Sequence, residues 1–272
     1  RSTLFPYTTL FRSPTGAKSM VLTFGYMYAS NNWFWAIDNI KITSGNQTVF
    51  SEDFESLELG PFLDEILPAD VQSINPEKVW TKTPPTGWVQ DDSLMPLNGV
   101  RDWWGWTFAN AVAWSMVAGD QRRSEFTLAK GVAAIADSDE WDDLTHDSGP
   151  FEAYLSTPAI SLVGMDENSV NLTFDSSWRP EGSQEVNIVV SFDGGNPQEI
   201  LYWNSTDGDP NFHPDTSTNE TVSVDINNPS GAKSMVLTFG YLYGTNNWFW
   251  AIDNIVIKSG TITGVDHWQL FE

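Results

Sequence analysis

An all-β fold of two antiparallel sheets packed face to face is what this 272-residue sequence predicts. Three observations carry the prediction. Residues 185–192 alternate strictly, with Val186, Ile188, Val190 and Phe192 on one face and Glu185, Asn187 and Ser191 on the other. Apolar runs of similar length recur between turn-forming clusters, and nothing in the second half keeps a helical period over three turns. Finally, residues 14–45 return at 229–260 with only six differences in 32 positions, at an offset of 215 residues. That offset is too long for a solenoid unit and suits a whole β-rich domain.

Taken in order, residues 1–13 read like the in-frame translation of a DNA-sequencing adapter and are set aside from the fold. Residues 14–45 then read as the last two strands of a preceding module, 47–260 as one complete module, and 261–272 as a linker and the start of the next. The chain is thus expected to be a window on a tandem array. Within the module, residues 61–75 have room for a short helical turn, limited by Pro68. Pro84-Pro85-Thr86-Gly87-Trp88 spells a rigid turn ending in a large aromatic. Residues 102–118 are tryptophan-rich, and 131–136 (GVAAIA) have the composition of a short buried strand. Residues 169–175 fit another strand. Asp193-Gly194-Gly195-Asn196-Pro197 is a turn from which 199–203 returns as in a hairpin. Val222, Val224 and Ile226 mark a further strand, and Met235 to Tyr243 and Phe249 to Lys258 the last two.

With 13 basic and 36 acidic residues the formal charge is −23, which argues against nucleic acid and anionic membranes as partners and favours cations. There is no cysteine for disulfides or thiolate metal sites. No apolar run approaches the ~18 residues needed to span a bilayer.

The repeated strand contains an anomaly. Trp250 and Ile252 share one parity while Ile255 and Ile257 share the other, so the strand must bulge or kink at Asp253-Asn254, and likewise at Asp38-Asn39. A bulge re-aims its carboxylate, which then needs a cation or several N–H donors. Both readings stand: a calcium ligand, or a carboxylate satisfied by turn amides. The run Asp137-Ser138-Asp139-Glu140-Trp141-Asp142-Asp143 is dense in hard oxygen ligands, Asp137 and Asp139 foremost, and reads equally as a solvated acidic loop. Trp103, Trp104 and Trp106 either stack on sugar rings or fill the space between sheets. His146, His213 and His267 have no zinc or triad spacing, and no nucleotide-binding or nucleophile-elbow motif is present.

The opening Asp53-Phe54-Glu55-Ser56, the Pro84 to Trp88 turn, the block 175–195 and the closing WFWAIDNI of 248–255 together resemble jelly-roll modules of secreted bacterial surface proteins. These are the cleaved-adhesin and choice-of-anchor type, similar in layout to MAM domains. The resemblance implies a concanavalin-like jelly-roll sandwich, extracellular or cell-surface and non-catalytic, with structural calcium between the opening Glu55 and the closing Asp253. In the adhesin modules a D-x-D-x-D-G-like loop follows the G-W turn. This chain has Gln90-Asp91-Asp92-Ser93 there and carries its acidic run at 137–143 instead.

The expected function is therefore binding, of a glycan or protein ligand, by a module with similar neighbours. The alternative is an accessory module of a secreted phosphoesterase or glycosidase. One structural expectation concerns the duplicated segment. The copy at 229–260, reached across the short Asn227-Asn228-Pro229 turn, should hold its place in the sandwich. The copy at 14–45 should then be left exposed, poorly packed and prone to self-association.

Overall fold

The computed structural model describes residues 20–29, 34–44, 46–182, 184–244 and 249–259; residues 1–13, Trp33 and the tail from 260 lie outside them. The chain is an all-β two-sheet sandwich. Its first strands are β1 (Val21–Ala29), β2 (Phe34–Ser44) and β3 (Gln47–Glu52), then the short β4 (Trp80–Thr81) and β5 (Val89–Asp91). After β6 (Trp106–Asn110) and helix α1 (Ala111–Val117) comes β7 (Val132–Asp137), running into the one-turn helix α2 (Ser138–Trp141). There follow β8 (Phe151–Ser156), β9 (Ile160–Ser161), β10 (Val170–Arg179), β11 (Glu185–Phe192), β12 (Gln198–Asn204) and β13 (Glu220–Ile226). Strands β14 (Ser234–Gly244) and β15 (Phe249–Ser259) close the series.

One sheet holds β5, β8, β9, β11 and the pair β1 and β14; the other holds β13, β10, β3, β7, β6, β4 and the pair β2 and β15. Strand β11 shows the alternation expected of it, with Val186, Ile188, Val190 and Phe192 buried. Its turn is made by Asp193 (φ 52°) and Gly194 (φ 72°), closed by the Gly195 amide on the Phe192 carbonyl at 2.8 Å. The Pro85 carbonyl accepts from the Trp88 amide at 3.0 Å across Gly87, at φ +85°. That turn delivers Trp88 into the core, stacked on Phe24 with centroids 5.6 Å apart. Between the sheets Trp35 meets Trp106 at 4.0 Å, and Phe54 meets Phe108 at 5.2 Å.

The two copies of the repeat share one location. Strand β1 lies on β14 with Val21 registered to Val236, and β2 lies on β15 with Trp35 registered to Trp250. Both β1 and β14 pair with β11 through the same residues, Tyr26 and Tyr241 each opposite Val186. Both β2 and β15 pair with β10, Asp38 and Asp253 each opposite Asp175. The Phe24 and Phe239 rings coincide. Two sets of side chains cannot fill one volume, so the copies are alternative occupants of a single hairpin slot and one molecule holds one of them there.

This corrects the expectation that 229–260 alone enters the sandwich: Met20, Leu22, Phe24, Tyr26, Phe34, Trp35 and Ile37 of the first copy are as fully buried as Met235, Leu237, Phe239 and Ile252 of the second. The physical reason is loop closure at the other end. Strand β2 runs into β3 as directly as the Asn227-Asn228-Pro229 turn leads toward β14, with Ser44 paired to Gln47, so loop closure does not single out the C-terminal copy.

The kink expected at Asp38-Asn39 is present. Three steps along β2, from Asp38 to Lys41, oppose two along β10, from Asp175 to Thr173, and Asn39 has φ 52°. It also marks a change of neighbour. Residues 34–37 of β2 pair with β7, and residues 40–44 pair with β3.

One local expectation for the first half differs from the structure, and one helix was not expected. Residues 61–75 contain no helix. They are held instead by buried Asp102, whose carboxylate accepts from the amides of Leu63, Asp64 and Glu65 at 2.8–2.9 Å. Within 102–118 the run AVAWSMV forms α1, capped by Asn110, whose side chain accepts from Val112 and Ala113. Asp102→Ala leaves three amides without their acceptor. We expect it to cost about 2–4 kcal/mol, read as a lower urea midpoint, and to open residues 61–75 to limited proteolysis. An unchanged midpoint and cleavage pattern would contradict this role.

Candidate functional site

The sandwich is open where β12, beside β11, faces β13, the edge strand next to β10. A groove of about 320 Å³ lies there, lined among others by Glu199, Trp203, Asn211, Phe212, His213 and Glu220. The loop 205–219 builds one wall through a series of local turns. The Asp209 amide donates to Thr206 and the Phe212 amide to Asp209, both at 3.1 Å, with Gly208 at φ +83°. Two cross-loop bonds then fix it: Asn204 donates to Asn211 at 3.0 Å, and His213 donates back to Asn204 at 2.9 Å.

That ladder lays the His213 ring flat on Trp203, with centroids 3.8 Å apart and planes 11° from parallel. Trp178, fully buried behind them, donates its indole N–H to the His213 carbonyl at 3.0 Å and lies 6.5 Å from Trp203. His213 Nε2 is 2.5 Å from Glu220 Oε1, which orients the imidazole. Phe212 remains 38% exposed at the lip. Burial pushes the Glu199 carboxyl up, offset by a bond from Asn187. Burial and the neighbouring Glu185 push the Tyr202 hydroxyl up, so it stays a neutral donor. The result is a rigid aromatic floor with carboxylate and amide groups at its rim. Such a site can stack on an apolar ring face and bond the hydroxyls around it.

The tryptophans singled out from the sequence sit elsewhere. Trp103 and Trp106 are fully buried between the layers, and neither is available to stack on a sugar. Trp104 is partly buried and donates its indole N–H to the Pro96 carbonyl at 2.8 Å. The space-filling reading is the one that matches these positions: Trp103 ends the 3-10 turn Arg101–Trp103 and packs on Phe62 at 5.6 Å, while Trp106 opens β6 against Trp35.

The acidic run is organised by an arginine. Arg123, fully buried, bonds Asp137 through Nε at 3.1 Å and through its terminal nitrogen at 3.2 Å. The same nitrogen reaches Asp139 at 3.2 Å and Glu140 at 3.1 Å. Trp114 donates its indole N–H to Asp137 at 2.8 Å, and the Phe34 ring lies 4.1 Å from the guanidinium carbon. Asp137 and Asp139 thus spend their oxygens on a guanidinium.

Near the kink, Asp38 accepts from the amides of Asn39 at 2.6 Å and Lys130 at 3.1 Å. Glu55 reaches the same stretch and accepts from Val132 at 2.6 Å. Its carboxylate lies over Gly131, at φ +75°, where a side chain would collide with it. The Asp253 side chain lies outside the described residues. Calcium takes six to eight oxygens. Among the described residues no group of three or more His, Cys, Asp or Glu is gathered to hold a metal. Asp38 and Glu55 both accept from backbone amides here.

Comparison with protein families, curated proteins and solved structures finds no match for this chain.

The arginine cluster has a pH signature. Burial, only partly offset by Arg123, pushes Asp137 up to about 7 and Asp139 up to about 6, and raises Glu140 well above the ordinary range. Between roughly pH 4 and 7 the folded state therefore holds more protons than the unfolded chain, and stability falls as pH rises. We expect the melting temperature to be higher at pH 5 than at pH 7.5. Arg123→Met, which strips three buried carboxyls of their counter-charge, should lower it by more at pH 7.5 than at pH 5. A flat profile, or an equal loss at both pH values, would contradict this arrangement.

Proposed function

We propose that this chain is a non-catalytic binding module whose groove between β12 and β13 takes a carbohydrate. The observation that carries the reading is the Trp203–His213 stack, buttressed by Trp178 and rimmed by Glu199, Asn211 and Glu220. A ring face gains by lying on a flat aromatic that costs no ordering, and the polar rim supplies acceptors and an amide for hydroxyls. The charge of −23 disfavours phosphorylated and sulfated ligands, so the expected class is neutral saccharides. We place the module on secreted or cell-surface proteins, beside copies of itself, in line with the sequence resemblance and the long internal repeat. The same groove would serve an accessory module of a secreted hydrolase; a catalytic domain encoded next to it would favour that assignment.

A glycan array probed with the full chain, followed by calorimetry on the best neutral ligand, tests the reading. Trp203→Ala should weaken binding at least tenfold, equivalent to about 1.4 kcal/mol. Phe212→Ala should weaken it less, and Trp104→Ala should leave it unchanged. Failure to retain any neutral glycan, or equal affinity for Trp203→Ala, would reject the groove as a saccharide site.

A further inference from the structure

We propose that residues 47–228 form an acceptor closed by either flanking hairpin, so that the sandwich exists in two connectivities and its slot exchanges one copy of the hairpin for the other. The duplication and the shared register put the two candidates in the same place. What makes the slot functional is its position. In one sheet the occupant lies between β8 and β11, and in the other it separates β10 from β3 and β7. Without an occupant both sheets are cut in two, and their inner strands are left with unpaired N–H and C=O groups.

Each hairpin is tethered at the opposite end. The C-terminal copy is held where it starts. The Asn228 side chain accepts from the amides of Ser169 and Val170 at 2.9 and 3.2 Å, and the Lys233 carbonyl accepts from Leu162 at 2.7 Å. The N-terminal copy is held where it ends, by the pairing of β2 with β3 from Ser44–Gln47 to Ile40–Glu52. Both tethers are only a few residues long, so closure cost favours neither copy strongly. The buried apolar set is the same in both copies, since Met20, Leu22 and Phe24 correspond to Met235, Leu237 and Phe239, all buried. Among the described residues the one fully buried position that differs is Thr43, which is Lys at 258. In a tandem array every acceptor then has one hairpin before it and one after it. Exchange at the slot lets neighbouring modules be joined in either register.

Two glycines make the test. A side chain at Gly25 would enter the ring of Tyr154, and one at Gly240 would meet the side-chain amide of Asn187. In the full chain, Gly25→Val and Gly240→Val each block one copy. Each single variant should keep a cooperative urea transition and the native near-ultraviolet signal, while the double variant loses both. If either single variant unfolds like the double, only one copy is used and the proposal fails; a folded double variant overturns it as well. A second readout uses the absence of cysteine. Thr23 and Thr238 each lie opposite Val189 in identical register. The pairs Thr23→Cys/Val189→Cys and Thr238→Cys/Val189→Cys should therefore both form intramolecular disulfides under mild oxidation. A disulfide in one pair alone would reject two-way occupancy. Neither readout involves the saccharide groove, so this inference stands or falls apart from the proposed function.

Discussion

One volume, wide enough for a single β-hairpin, sits at the centre of both sheets, and the rest of the sandwich is arranged around it. Its occupant supplies a central strand to each layer and aromatic contacts between them, such as Phe24 of β1 against Trp106 of β6. Side chains in a close-packed core admit no second copy. The duplication in the chain therefore becomes a competition for place. The kink at Asn39 belongs to the same constraint. The strand has to leave β7 and take up β3 as its neighbour, and the extra residue re-aims Asp38 toward the Lys130 amide that sits between them.

The buried charge is a second consequence of covering a large face with short elements. Strand β7 ends inside the protein, and the acidic run after it must be neutralised there. Arg123 does so by reaching into the core from the loop after α1, with Trp114 and Phe34 against its guanidinium. Three carboxyls share one guanidinium, so full ionisation leaves excess negative charge in a desolvated site. The groove between β12 and β13 is built quite differently. There, neutral backbone bonds of the 205–219 loop hold the rings in place, and the charged groups stay at the rim.

Much of the fold is visible in the sequence, because alternation at Glu185–Phe192, the turn at Asp193-Gly194 and the parity break in the repeat are local signals with local causes. Helix α1 is not visible in that way: AVAWSMV is apolar nearly throughout and too short to show a period, and only its Asn110 cap hints at it. The groove was missed for a different reason. Trp203 at the end of β12 and His213 in the loop after it are ten residues apart, and nothing in their spacing shows that the Asn204–Asn211 and His213–Asn204 bonds fold one ring onto the other. Trp103, Trp104 and Trp106 allowed a sugar-stacking reading beside the space-filling one, and their closeness in the chain does not say which way each ring faces.

By itself the sequence determined the strands of the second half and β7, the buried face of β11, the kink and the existence of two near-identical hairpins, since each follows from residue order over a few positions. Only the tertiary structure decided which carboxylates meet an arginine and which meet amides, which tryptophans face solvent, and that the first copy of the hairpin fits the slot as well as the second. Those outcomes depend on contacts between residues tens to hundreds of positions apart, and a one-dimensional pattern carries no record of the volume they must share.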